Sequence, residues 1–362
     1  MNNLINNIIF RNDGIGDLIV STPLILSLKN NDASNKIFLI CSNRNLLLTQ
    51  QLKKEGLIDG YYVFSDKNKS IFKIVSLLIY IKKLKPKRCF VLRSSNTNYF
   101  ISILSSIKLI YGIISLKSDK KNNKKITPFR LLVKSVNGTE LIDGRYNYLY
   151  SINIHMSDHY LNVLRKSDNF DNNNIIKKYY PSPIKNENNF LENTIKILGF
   201  DYLILHIDEK WLRSKFNNRD YLNYILNIEK NTNLNILITF GSDIKEYNNY
   251  IFNSLKMNKV FNSDNIDIYR SNNYKNVYLF YSLNIIKLMK LVSNARLVIT
   301  TEGGLTHISS MYNIPLINII YIEHKNFLQK WLPKTNRYKQ VEMKNLNSIN
   351  KEINNFLKNF NN

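Results

Sequence analysis

A chain of 362 residues, 44% apolar and 12% aromatic, has core-forming material for two domains of ordinary size, which excludes wholesale disorder and a single small module. Its net charge of +24 points toward anionic partners, yet 39 lysines against 12 arginines, scattered among many Asn and Ile, fit compositional drift equally well. With no run of about 18 apolar residues, no signal-peptide pattern at the amino terminus, and two cysteines (Cys41, Cys89) without metal or disulfide spacing, the chain reads as a reduced, cytoplasmic protein.

Along the chain, short apolar runs alternate with longer stretches of helical period, the pattern of parallel strands joined by crossover helices. Strands are predicted near Ile5–Phe10, Lys36–Ile40, Gly60–Phe64, Arg88–Leu92 and Leu109–Ile113, with helices such as Asp17–Leu28 and Ile71–Leu84 between them. Ile71–Lys85 and Tyr99–Lys117 read as a helix on a sheet and a helix running into a strand. Being apolar with basic flanks, they also fit a peripheral face against an inner-membrane surface. The basic clusters Ile81–Arg88 and Lys117–Lys125 suit phosphate groups, but no base-reading aromatics accompany them, so nucleic acid is not an expected partner.

Lys117–Gly144 is predicted to be a Lys/Asn-rich exposed loop with one short apolar element, followed by a helix near His155–Arg165. The prolines of YYPSPIKNENN mark a linker, which puts a domain boundary between Asp168 and Asn188. Beyond it the alternation restarts, with strands in DYLILHI, LNILITFGS, NVYLFY, RLVIT and IPLINIIY. The helices between them fall near Tyr221–Glu229, Lys245–Leu255, in SLNIIKLMKLVSNA and after Gly304, giving a second parallel sheet. The expectation is an α/β chain of two doubly wound Rossmann-like domains, over 1–175 and 176–345, with a terminal helix in 346–362. Ligands of such sheets sit at the carboxyl ends of the strands, so the two domains are expected to share one cleft.

Two of those strand ends are glycine corners. In IIFRNDGIGDL, the loop Gly14, Ile15, Gly16 precedes Asp17 at a predicted helix start, where glycines permit close approach of a ligand and the helix offers free N–H groups. A dinucleotide fingerprint needs a third glycine, which Val20, Ser21 and Thr22 do not supply. Asp17 either caps its own helix or, at the mouth of a cleft, accepts a proton from a hydroxyl. Pro23 is placed in the first turns, where its missing N–H is tolerated or bends the helix slightly. The second corner, TEGGLTHISS, puts Glu302, Gly303, Gly304, Leu305, Thr306 and His307 behind an apolar strand, so the helix N–H groups, with Thr306 and His307 as further donors, suit a diphosphate. Lys210 in HIDEKW, again at a strand end, is either an exposed loop lysine or a cation against phosphate.

The segments IIFRNDGIGDLIVSTPLILSLK and LMKLVSNARLVITTEGGLTHISSMYNIPLINII resemble the two end signatures of family 9 glycosyltransferases, the bacterial heptosyltransferase group. The resemblance implies a GT-B architecture and inverting, metal-independent transfer of a heptose-like sugar. The implied donor is a nucleotide diphosphate sugar, ADP-linked by preference, and the acceptor an anionic saccharide or lipid-linked group of the cell envelope, such as lipopolysaccharide. It further implies Asp17 as general base, Lys210 at the donor diphosphate, residues 302–307 as the nucleotide-sugar loop, and no cofactor. Glu302 and Gly303 depart from the commoner Asp followed by Ser or Thr. A nucleotide-sugar epimerase or hydrolase of the same architecture, or a non-catalytic nucleotide-sugar-binding protein, are the other readings.

Overall fold

The structure, a computed structural model, describes residues 5–65, 70–118, 124–125, 137–143, 154–180, 188–199, 201–208, 210–211, 216–241, 245–263, 266–281, 283–343 and 346–361. The chain divides into two compact units, Met1–Ser182 with Asn326–Leu332, and Pro183–Lys325 with Pro333–Asn362. Among the described residues no helix is long and apolar enough to cross a membrane.

The first unit is built on strands β1 (Asn6–Phe10), β2 (Lys36–Cys41), β3 (Gly60–Val63), β4 (Arg88–Val91), β5 (Leu109–Ser118), β6 (Lys124–Lys125) and β7 (Thr139–Asp143). They lie in the order β3-β2-β1-β4-β5, with β7 beside β5, all parallel; the two-residue β6 pairs antiparallel with the end of β5. Near-continuous apolar runs such as Ile8-Ile9-Phe10 are buried on both faces, as a sheet covered by helices requires. Helices α1 (Ile15–Asn31), α2 (Leu46–Lys54), α3 (Ile71–Leu84) and α4 (Asn96–Leu104) follow the first four strands, and α5 (Met156–Arg165) packs against α1. Most of the stretch predicted to be a Lys/Asn-rich loop lies outside the described residues. Within it, β7 pairs with β5 and extends the parallel sheet. Cys41 and Cys89 are both buried and free.

Helix α1 begins two residues earlier than its pattern predicts, so Pro23 is the ninth helical residue and lies past the first turn. A proline there leaves the carbonyl of residue i−4, Ile19, without its N–H donor. The Thr22 hydroxyl donates to that carbonyl at 2.6 Å, which explains why threonine precedes this proline.

The second unit carries β8 (Tyr202–Ile207), β9 (Asn235–Phe240), β10 (Met257–Ser263), β11 (Ile266–Ser271), β12 (Val277–Tyr281), β13 (Leu297–Thr301), β14 (Leu316–Ile320) and β15 (Tyr338–Glu342), in the order β10-β11-β12-β9-β8-β13-β14-β15. This sheet is mixed rather than wholly parallel. The first two strands of that order form an antiparallel hairpin, and β11 is antiparallel to β12. Neither edge strand, β10 or β15, has an apolar run, because an edge strand has less to bury. Helices α6 (Asn188–Leu198), α7 (Asn218–Lys230), α8 (Lys245–Ser254), α9 (Ile285–Val292) and α10 (Gly304–Met311) complete the alternation. The terminal helix α11 (Leu346–Asn361) buries Ile349, Ile353 and Leu357 in the same core as Trp211, Tyr221 and Tyr224.

Candidate functional site

In the first unit, β1 ends at Phe10, and the next three residues carry polar side chains into a tight network. Arg11 is 1% exposed. Its Nε donates to the Asp17 carbonyl at 3.0 Å and its Nη1 to the Leu92 carbonyl at 2.7 Å, while Nη2 meets Asp17 Oδ1 at 2.8 Å and Nε lies 3.3 Å from Asp13 Oδ1. The Tyr160 ring of α5 stacks under the guanidinium at 5.0 Å. Burial alone would favour the neutral arginine, but Asp13, Tyr160 and Asp17 more than offset it, so its charge is held more firmly than in water. Asn12 and Asn98 exchange side-chain hydrogen bonds of 3.2 and 3.0 Å beside it, and the Ser42 hydroxyl donates to the Asp13 carbonyl at 2.6 Å.

Asp17 is the third residue of α1, and its Oδ2 accepts from the Gly14 N–H at 3.2 Å. This is the reaching-back half of a capping box. A Cβ on Gly14 would lie 2.9 Å from that oxygen, so the glycine makes room for the carboxylate. Neither Gly14 nor Gly16 has positive φ, and Gly16, with Ile15, sits inside the first helical turn. The corner therefore holds a carboxylate in a fixed place, oriented by one cation and one N–H.

Asp13, absent from the sequence-based candidates, is the second carboxylate at this corner. Burial pushes its carboxyl up to about 7; Arg11 pulls the other way and Asp17 adds to the rise. The folded protein thus binds this proton more tightly than the unfolded chain does. The stability it contributes is full below about pH 4 and is lost as pH rises toward 7. Asp13→Asn is expected to abolish this loss, making the protein more stable than the parent at pH 8 and leaving it unchanged at pH 4. Urea unfolding at the two pH values reads the difference.

In the second unit, β8 delivers Asp208, Lys210 and Trp211, and the neighbouring β13 delivers Thr301 and Glu302. The Thr301 hydroxyl donates to Asp208 Oδ1 at 2.6 Å, the Lys210 N–H donates to the same oxygen at 3.0 Å, and Lys210 Nζ donates to Oδ2 at 2.9 Å. Asp208 thus points the lysine, and the ammonium keeps two further donors. Gly303 has φ 156° and ψ −155°, a region that essentially only glycine occupies. A Cβ there would lie 2.7 Å from Lys210 Nζ, so Gly303 lets the ammonium rest against the start of α10. The residue also caps α10 without a side-chain hydrogen bond, so the first-turn N–H groups keep their donor capacity.

Glu302 uses its extra methylene to reach His324, at 2.8 Å from Oε1 to Nδ1. Its Oε2 is buried and has no hydrogen-bond partner among the described residues. Thr306 and His307 are buried with Leu305 in α10, at 3% and 8% exposure, and the Thr306 hydroxyl donates to the Thr301 carbonyl at 3.2 Å. The groups nearer the surface of this corner are Glu302, Gly303, Gly304 and Lys210. Gly303→Ala is expected to cost about 1–3 kcal/mol through backbone strain and to displace Nζ. Chemical denaturation measures the first effect, and loss of anion affinity the second.

Asp208 and His324 were missed by sequence reading although Asp208 lies two residues from Lys210. Asp208 had a signal in the strand-end position it shares with the lysine. His324 had none, since it arrives from the loop after β14.

No protein-family profile matches the chain, and no curated protein matches it. Among solved structures, it is similar to E. coli ADP-heptose lps heptosyltransferase II, at 11% identity over 99% of this chain and 100% of that one, with a TM-score of 0.66. It is similar to a family 9 glycosyl transferase of Veillonella parvula, at 13% identity over 98% and 89%, again with 0.66. A UDP-GlcNAc 2-epimerase of Methanocaldococcus jannaschii aligns at 15% identity over 96% and 91%, with 0.57. At these identities the likeness is one of fold, the GT-B type with two α/β units.

Proposed function

We propose that the protein is an inverting glycosyltransferase that moves a heptose-like sugar from a nucleoside diphosphate, ADP by preference, to a saccharide or lipid-linked acceptor of the cell envelope. On this reading it works without a divalent ion, in the cytoplasm at the inner-membrane face. The observation that carries the proposal is Lys210 Nζ packed against Gly303 at the start of α10, which no side chain caps. A cation and a helix amino terminus converge there on one point, which suits the charge that collects on a departing diphosphate. The likeness of fold to two transferases of this kind supports it.

In the proposed reaction the acceptor oxygen bonds to the anomeric carbon as the bond from that carbon to the diphosphate oxygen breaks. The electron pair leaves with the diphosphate, whose charge meets the α10 N–H groups and Lys210. The hydroxyl proton passes to a carboxylate of the first unit, Asp17 by its resemblance to the family base. Glu302 Oε2, otherwise without a partner among the described residues, is a suitable acceptor for a donor hydroxyl. The discriminating experiment follows nucleotide release from ADP- and UDP-linked sugars in EDTA, with and without candidate acceptor saccharides. Acceptor-dependent release supports the transferase. Turnover without any acceptor, or release only when a metal is restored, contradicts it, and the former favours an epimerase or hydrolase.

A further inference from the structure

Helix α3 has two apolar faces where a helix on a sheet needs one. Its inner face buries Leu77 and Ile81 completely, and Ile74, Leu78 and Leu84 pack on the same core. Its outer face leaves Phe72 at 82% exposure, Ile71 at 65%, Ile79 at 51% and Val75 at 45%. Positions 72, 75 and 79 form a single stripe at helical spacing, so the exposure is a continuous surface. The neighbouring α4 repeats the arrangement: Tyr99 and Ile101 enter the same core, while Phe100, Leu104 and Ile103 stay 46%, 44% and 39% exposed. Because both inner faces meet one cluster, both outer faces look away from the same side of the sheet.

On these two helices and the segments that join and flank them the charge has one sign. Lys73, Lys82, Lys83, Lys85, Lys87 and Lys108 are all exposed, and no aspartate or glutamate occurs between Asp66 and Asp119. Lys82 and Lys83 continue the apolar stripe of α3 by one turn. A second copy of this chain would set these lysines against their own counterparts, and a neutral apolar partner would leave them unanswered. An anionic bilayer supplies both an acyl boundary for the aromatic and aliphatic tips and negative headgroups for the rim.

We propose that the outward faces of α3 and α4 are a docking surface for an anionic lipid bilayer, with Phe72 and its neighbours inserted and the lysines on the headgroups. This deepens the inner-membrane location given under the proposed function, while its geometry comes from the first unit alone and does not depend on the reaction catalysed.

The test is vesicle flotation of the full chain, using phosphatidylcholine alone and phosphatidylcholine with about one third phosphatidylglycerol. Two variants are compared, Phe72→Ser with Ile79→Ser, and Lys82→Glu with Lys83→Glu, each checked for an unchanged thermal unfolding transition. The expected result is binding to the anionic vesicles, reduced about tenfold by the apolar variant and brought to the neutral-vesicle level by the charge variant. Folded parent protein that ignores anionic vesicles, or binding that survives both variants, overturns the proposal. A parent that light scattering shows to be a dimer, dissociated by Phe72→Ser with Ile79→Ser, also overturns it and gives the face to a second copy.

Discussion

Replacing Arg11 by leucine is expected to lower the unfolding free energy by about 3–5 kcal/mol. The guanidinium is almost wholly buried and serves two carbonyls and two carboxylates at once. Leucine fills part of the volume but leaves the Leu92 carbonyl without that donor and removes the cation that both carboxylates face. The cause can be separated from lost packing. Adding Asp13→Asn to Arg11→Leu removes the cost of ionising Asp13 and is expected to recover part of the loss above pH 7, whereas a pure cavity would be indifferent to it. Equilibrium urea unfolding of the two variants and the parent decides between these accounts.

The second large effect is on turnover. Asp17→Asn is expected to lower kcat by about 10²–10⁴ if the carboxylate receives the acceptor proton, with donor affinity little changed. The asparagine keeps an acceptor oxygen for the Gly14 N–H, so helix α1 retains most of its cap. Asp13→Asn gives the comparison. Its carboxyl is pushed up to about 7, where a general base works well, while Asp17 is committed to Arg11. A larger fall of kcat in Asp13→Asn than in Asp17→Asn would move the base four residues upstream.

How much of this could be read beforehand depends on where the information lies. The buried strands announce themselves because both faces are covered, as in KIFLIC and RLVIT, and the glycine corners announce the strand ends. The helix Ile71–Leu84 was legible to the residue, since its apolar period is unbroken and Pro86 stops it. The hairpin Met257–Ser271 was not, because its strands alternate polar and apolar residues weakly and lie at a sheet edge. Arg11 was invisible for a different reason. In sequence it is an arginine after a strand, which ordinarily means solvent. Its burial depends on Tyr160, far along the chain. Lys210 and Gly303 were each singled out, but their contact was not, because it depends on β8 and β13 being neighbours in the sheet.

The central claim, a diphosphate held by Lys210 and the start of α10, is tested most directly by calorimetric titration with ADP and UDP in EDTA, on the parent and on Lys210→Ala. Metal-independent binding of one of the two is expected, weakened about tenfold or more by the substitution as a charge-assisted contact is lost. Folded protein that binds neither nucleotide, or binds one equally well without the lysine, would contradict it.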